Sequence, residues 1–277
     1  MKKISIVISH FNRKKILYKT LQAYSLSENI SDCEFIIVDD CSDVMNDISN
    51  IKDTFPLLDI KLIKIEKEDK TWILPTVPFN LGVKLATTDR ILMTNPECLP
   101  MGDVVKDALC TLRKNTYQVY GCYSVNRDFT DMILKLEMSN ESIEILRKIL
   151  PLTTDTYLIK DGENAWYQHS KYRPLKYCFC VAIYKKDYEK IGGLNDVYAQ
   201  GKGFGDDDFV LSAKQNDVEI IEKDEPFVLH LNHYKFSTDY LATKEAKKNE
   251  SIYEKRKLGE IFTCNDYKEF YDKYLKK

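Results

Sequence analysis

Four groups of residues in this 277-residue chain have the types and spacing to do chemistry. Gly201-Lys-Gly-Phe-Gly-Asp-Asp-Asp-Phe209 sets three consecutive aspartates behind a glycine-rich stretch. Neighbouring carboxylates raise one another's pKa unless a cation, a hydrogen-bond donor or a substrate hydroxyl compensates, and a raised carboxylate is the kind that serves as a general base. A helix N-terminus accounts for one such aspartate, not three. His230-Leu-Asn-His233 places half of the four histidines within four residues, a spacing that two ligands of one metal can share. Asn95-Pro96-Glu97 ends the apolar run Ile91 to Thr94 at a corner, because a proline keeps the residue before it extended and halts the strand. Glu97 is thereby presented outward, where its oxygen suits a hard divalent cation that also holds diphosphate, or else a simple surface turn. Val38-Asp39-Asp40-Cys41-Ser42-Asp43 brings further carboxylates to a strand end, able to accept two coplanar hydrogen bonds from an imide or a ribose diol, or to cap the next turn.

These groups need a scaffold that brings them to one rim. Ile4 to Ile8 is a β-branched run, then a polar corner Ser9 to Arg13, then Ile16, Leu17, Thr20, Leu21 and Tyr24 at helical spacing. Glu34 to Asp40, Ile60 to Ile65 and Arg90 to Thr94 read as further buried strands, with a turn into a helix over Pro78 to Ala86. Strands alternating with helices predict an α/β fold with a mostly parallel sheet, and in such sheets ligands sit outside the carboxyl ends of the strands. Ser9, Asp39, Asp40 and Glu97 all fall at such ends. Beyond residue 100 the pattern is less regular: helices over Asp103 to Lys114, Glu141 to Leu150, Lys186 to Ile191 and Phe209 to Asn216, and strands over Gln118 to Val125, Cys178 to Tyr184 and Glu219 to Ile221. From Ser237 a Lys- and Glu-rich stretch carries Tyr240, Tyr253, Phe262, Tyr267, Phe270, Tyr271 and Tyr274, expected to be helical with its aromatics packed on the domain.

Composition removes several classes of function. With 44% hydrophobic residues the chain can build a real core. Lys and Arg number 41 against 43 Asp and Glu, a formal charge of -2, which leaves no nucleic-acid footprint. No apolar run approaches the roughly 18 to 20 residues of a membrane span. Eight cysteines include no C-x-x-C pair, so reduced thiols in a cytosol are the expectation.

The stretches "ISIVISHFNRKKILYKTLQAYS", "EFIIVDDCSD", "NLGVKLATTDRILMTNPEC" and "GGLNDVYAQGKGFGDDDFVLSAK" resemble, in this order, the blocks of family 2 type glycosyltransferases with a GT-A fold. The resemblance covers residues 1–235 and implies a Rossmann-like sheet with flanking helices, a nucleotide-binding half (1–100) on an acceptor half (101–235), and a helical extension over 236–277. It implies transfer of a sugar from a nucleotide donor, commonly a UDP-sugar, to a glycan or glycolipid hydroxyl, with Mn2+ or Mg2+. Carried over position by position, Ser9 and Phe11 line the base and ribose, Asp40 reads the uracil imide, and Asn80 of the Asn-x-Gly element lies beside the nucleotide. Asn95 and Glu97 take the two acidic positions of the metal-binding Asp-x-Asp motif, with His230 and His233 completing the metal shell. Within the acidic block, Asp207 is the first choice of base and Asp206 the second, while Asp208, Gly205 and Trp166 are placed at the acceptor. Asn95 departs from the motif by one negative charge.

On this resemblance the expected reaction is a single inverting displacement, in a cytoplasmic protein peripheral to the inner face of the membrane and engaged in surface glycan assembly. The competing reading is a nucleotide-sugar-binding scaffold without catalysis. A sugar-nucleotide pyrophosphorylase is disfavoured because no Gly-rich basic loop follows Ile4 to Ile8. A processive synthase is disfavoured because membrane spans and a Gln-x-x-Arg-Trp element are lacking. Trp72 and Trp166-Tyr167 could stack on sugar rings or simply belong to the core.

Overall fold

The structure, a computed structural model, describes residues 1–150, 152, 164–233, 242–262, 264 and 266–276. The strands are β1 (Ile4–His10), β2 (Cys33–Asp39), β3 (Ile60–Lys64), β4 (Arg90–Thr94), β5 (Cys98–Met101), β6 (Thr116–Ser124), β7 (Ala165–Gln168), β8 (Cys180–Tyr184) and β9 (Glu219–His230). The helices are α1 (Lys14–Tyr24), α2 (Ile51–Thr54), α3 (Thr76–Leu85), α4 (Val104–Thr111), α5 (Arg127–Lys135), α6 (Asn140–Ile149), α7 (Lys185–Lys190), α8 (Gly205–Gln215), α9 (Lys244–Lys257) and α10 (Lys268–Leu275).

All strands join one sheet in the order β3-β2-β1-β4-β8-β6-β9-β5, with β7 paired to β6. β3, β2, β1, β4, β6 and β9 run one way, and β8 and β5 the other. The mostly parallel α/β sheet with flanking helices is therefore as the sequence predicts. β1 lies between two parallel neighbours and all seven of its residues are buried, which is why it reads as a continuous apolar run rather than an alternation. α3 lies close against this strand through Gly82, where a Cβ would fall 2.4 Å from Val7 Cγ1.

One face of the sheet packs beneath α3, α8 and α10 around Val7, Trp72, Phe79 and Phe209. The other packs beneath α1 and α4 around Ile6, Leu17, Phe35 and Val105. Tyr267 and Tyr274 are buried in the first of these cores, so the C-terminal segment is built into the packing beneath the sheet beside Val7 and Trp72. Tyr240 and the boundary at 235/236 lie outside the described residues.

The sequence reading differs from the structure in four places that matter for the site. β5 is a strand despite Pro100, because Cys98 to Met101 lies at the edge of the sheet and pairs only with β9. β9 continues well past Ile221 to His230, the apparent turn Lys223 to Pro226 being absorbed as a register shift opposite Tyr120 and Gly121. α5, capped by Asn126 on Phe129 N–H, carried too mixed a pattern to be read as a helix. α8 starts at Gly205 rather than Phe209, so all three aspartates lie in its first turn, where backbone N–H groups and the helix dipole favour negative charge.

Candidate active site

The register of β5 on β9 assembles the first cluster. Cys98 pairs with His230, and Leu231 N–H donates to Glu97 C=O at 2.9 Å, so the Asn-Pro-Glu corner and the histidine pair meet although far apart in sequence. α1 fixes the corner from below, the Thr20 hydroxyl donating to Pro96 C=O at 2.8 Å. Glu97 Oε1 lies 3.6 Å from His230 Nε2 and 3.5 Å from His233 Nε2. One ligand atom from each of the three residues lies within 4.8 Å of the others. Two ligands each about 2.1 Å from one ion stand roughly 3 to 3.5 Å apart at right-angled or tetrahedral positions, so this donor set fits a divalent cation.

Glu97 is only 3% exposed, and its second oxygen accepts a 2.7 Å hydrogen bond from Arg13 Nη1. Burial pushes its pKa up, but Arg13, then His233 and His230, outweigh that and hold it well below the ordinary value. The carboxylate is charged, with one oxygen turned to the imidazoles. Arg13 escaped the sequence reading because its partner lies 84 positions away.

The second cluster lies at the end of β2. Asp40 is buried; Oδ2 accepts from Lys70 Nζ at 2.8 Å and Oδ1 from Trp72 Nε1 at 2.9 Å. Desolvation raises its pKa to about 6, with Lys70 and Trp72 pulling the other way. Lys70 Nζ also lies 3.7 Å from the ring centroid of Phe11, which is 40% exposed at the end of β1, whereas Ser9 is buried within that strand.

The third cluster is the first turn of α8. Asp206 Oδ1 accepts from Cys178 N–H at 3.0 Å, and its pKa is raised by burial and by the adjacent Asp207, with the Cys178 bonds opposing. Asp207 Oδ1 accepts from the Tyr177 hydroxyl at 2.9 Å. A cavity of about 150 Å³ opens beside them, lined by Thr76, Phe79, Asn95, Phe179, Gly205 and Asp206. Thr76 Oγ1 is buried there without a hydrogen-bond partner. A larger cavity of about 610 Å³ is lined by Asn80, Lys84, Asp196 and Arg256 among others, but by none of Glu97, the histidine pair, Asp206 or Asp207.

Three residues placed at the site from sequence have other work. Asn80 accepts from Tyr188 Oη at 2.5 Å and Leu194 N–H at 3.2 Å, and donates to Leu194 C=O and Asp196 Oδ1. Its two donors and two acceptor positions are all used, so it staples α3 to the turn after α7 and has nothing left for a nucleotide. Trp166 is 4% exposed, donates to Leu152 C=O at 2.9 Å, and packs edge-on against Tyr123 and Phe227, a core residue rather than a stacking platform for an acceptor.

Asp208 points inward, 1% exposed, accepting from Arg256 Nε at 2.8 Å and the Tyr198 hydroxyl at 3.2 Å, and so ties α8 to α9 instead of reaching an acceptor. Asp208→Ala leaves the largely buried Arg256 guanidinium without its counter-ion, and the expected loss is about 3 kcal/mol of stability in urea denaturation. A loss below about 1 kcal/mol would show the pair to be solvent-screened.

Comparisons with known proteins identify the family and the fold. A family model described as glycosyl transferase family 2 matches residues 5–187. The match spans Glu97 and Asp40 and ends before the acidic turn and the histidine pair. No curated protein sequence matches the chain. Among solved structures, S. aureus TarS superimposes with a TM-score of 0.54 at 14% identity, over 83% of this chain and 37% of that one. TarS 1-349 in complex with UDP-GlcNAc gives 0.54 at 13% identity, over 87% and 61%. The mannosyltransferase PcManGT from Pyrobaculum calidifontis, in complex with GDP-Man and Mn2+, gives 0.55 at 13% identity, over 98% and 68%. The chain thus spans little more than a third of that TarS chain.

Proposed function

The chain belongs to glycosyl transferase family 2, and from that premise we propose that it moves a sugar from a nucleoside diphosphate donor to a glycan hydroxyl, with inversion and with help from a divalent cation. Its fold is GT-A and it is a glycosyltransferase. The observation that carries the finer reading is the meeting of Glu97, His230 and His233 on the same rim as Asp206 and Asp207. Asn95, Phe179 and Asp206 connect the two: Asn95 and Phe179 line the cavity with Asp206, and Phe179 packs on the His230 ring at 5.8 Å.

The base of the donor is read at Asp40. A carboxylate keeps further acceptor positions after binding Lys70 and Trp72, so it can take a ring N–H while the Lys70 ammonium donates to a ring carbonyl. An N–H beside a C=O is the edge of uracil or guanine, not of cytosine or adenine. Phe11, exposed next to Lys70, offers a face on which that base stacks. The ionised Asp40 is the stronger acceptor and its pKa stands at about 6, so binding strengthens as pH rises through 6 and weakens below it. The expected result is an affinity for uridine, which stays uncharged across this range, that falls on acidification from pH 8 to pH 5, measured by calorimetry. Asp40→Asn binds weakly at both pH values. A flat profile in the parent would remove Asp40 from base recognition.

The donor sugar occupies the cavity between Asn95, Thr76 and Asp206, whose polar atoms face its hydroxyls. Glu97, His230 and His233 would hold a divalent ion, which would supply Lewis acidity toward the departing diphosphate. Arg13, bonded to the far oxygen of Glu97, adds a second positive charge beside it. Asp207 accepts the proton of the acceptor hydroxyl as that oxygen bonds to the anomeric carbon and the carbon–oxygen bond to diphosphate breaks on the opposite side. Tyr177 fixes the Asp207 carboxylate by its hydroxyl.

The loss of one acid at Asn95 favours a second reading, a nucleotide-sugar-binding scaffold. One experiment separates the two. Purified protein is incubated in Mn2+ with UDP-, GDP- and CMP-sugars, and both the melting temperature and the release of nucleotide are followed. The transferase reading expects stabilisation by UDP- or GDP-sugars and slow release of the diphosphate; stabilisation without any release supports the scaffold, and indifference to all three sinks both.

A further inference from the structure

From Ala165 to Lys186 the chain, acidic overall, contains no acid but carries His169, Lys171, Arg173, Lys176, Lys185 and Lys186. Its first part, as far as Phe179, forms one wall of the site, while Lys185 and Lys186 follow the far end of β8, where Tyr184 pairs with Arg90 at the start of β4. Tyr177 holds Asp207, Phe179 and Tyr167 pack on His230, and the Arg173 guanidinium lies 5.4 Å from the Tyr167 ring centroid. The Tyr167 and His230 centroids are 5.2 Å apart, so Arg173 stands one ring removed from a residue of the metal cluster.

The cations of this wall divide into two kinds. Lys176 is paired with Glu222 at 3.0 Å, and His169 faces Asp224 at 3.6 Å. Lys171 and Arg173 have no carboxylate within ion-pairing distance among the described residues. Lys171 Nζ instead rests 4.8 Å from the Tyr172 ring centroid, and Arg173 Nη1 is buried with no hydrogen-bond partner. A guanidinium partly withdrawn from water without a counter-ion is costly, whereas a planar anion accepts two of its parallel N–H groups at once. Arg173 is half-buried, and its planar fork is the donor geometry that suits such an anion.

We propose that the acceptor is an anionic glycan: a phosphodiester or carboxylate of its backbone is received by Arg173, with Lys171 at the mouth, while a nearby hydroxyl is presented to Asp207. The inference rests on the transferase reading and deepens it by giving the acceptor a chemical class. Tyr167, Tyr172 and Tyr177 provide ring faces along the same wall for the sugar or polyol units between the charges.

The test uses three oligomers of equal length as probes: a glycerol phosphate oligomer, an oligogalacturonate and a neutral malto-oligosaccharide. Each is titrated by calorimetry into the full chain in Mn2+ and UDP. One of the two anionic oligomers is expected to bind more tightly than the neutral one, and which of them does so identifies phosphate or carboxylate. Arg173→Gln should weaken that binding about tenfold or more, and Arg173→Lys, which keeps the charge but loses the fork, by an intermediate factor. UDP affinity should be the same in all three proteins, which also shows that they are folded. Preference for the neutral oligomer, absence of binding by either anionic one, or an unchanged affinity in Arg173→Gln would overturn the inference. If the parent fails to bind UDP in the first place, it is the transferase reading that fails.

Discussion

Asp207→Asn is expected to stop sugar transfer while leaving UDP affinity unchanged, with turnover lower by about two to four orders of magnitude, the usual contribution of a positioned base. The substitution is nearly isosteric, and an amide oxygen still accepts from the Tyr177 hydroxyl, so the turn and its neighbours stay in place while the basic lone pair is lost. Asp206→Asn should behave differently. Its carboxylate lines the cavity with Asn95 and accepts from Cys178 N–H, so, with the donor sugar in that cavity as proposed, its loss should raise the donor KM as well as lower kcat. The two variants, measured side by side for kcat, KM and UDP binding, separate the base from the residue that holds the donor. Undiminished turnover in Asp207→Asn would exclude it as the base, and a fall confined to kcat in Asp206→Asn would move the role one residue back.

The rim of the sheet was legible in the sequence because parallel strands end where their apolar runs end. Ser9, Asp40 and Glu97 could be placed at those ends without knowing a single contact. His230 could not be placed that way, since Lys223 to Pro226 looks like a turn, and only the pairing with Thr116 to Ser124 shows the strand passing through it. The residues read wrongly share a physical reason. Asn80, Asp208 and Trp166 satisfy their polar groups with Leu194, Arg256 and Leu152, partners that no local pattern announces. A polar side chain in a motif looks free until its partner is known, and a buried one is almost never free. The residues missed, Arg13, Lys70, Tyr177 and Arg173, are the converse. Each is an ordinary surface type by composition and gains its meaning only from a neighbour: Glu97, Asp40, Asp207 and the Tyr167 ring. The acidic turn was half legible. Its three aspartates stand together in the sequence, but the helix that begins at Gly205 rotates them apart, one into the cavity wall, one beneath Tyr177 and one into the core.

Glu97→Gln should abolish Mn2+ binding and reduce UDP affinity in Mn2+ to the value the parent shows in EDTA. Removing an outer-shell partner of a metal ligand already costs about 10- to 100-fold in metal affinity, so loss of the one carboxylate among three ligands should exceed that range. The reason is specific to this chain. With Asn at position 95, Glu97 is the one carboxylate of the three-residue cluster among the described residues, and imidazoles that ligate as neutral rings bring no charge to balance the ion. Gln keeps the length and one oxygen of Glu97 but leaves the Arg13 guanidinium facing the imidazoles without its anion, which repels a cation further. His233→Ala should have a smaller effect, since Glu97 and His230 persist. Calorimetric titration of Mn2+ and of UDP, each with and without the other, reads all of this without relying on turnover. Parent-like Mn2+ affinity in Glu97→Gln would show that the carboxylate is there for Arg13 alone, and the two histidines would then have to hold the ion with the diphosphate itself.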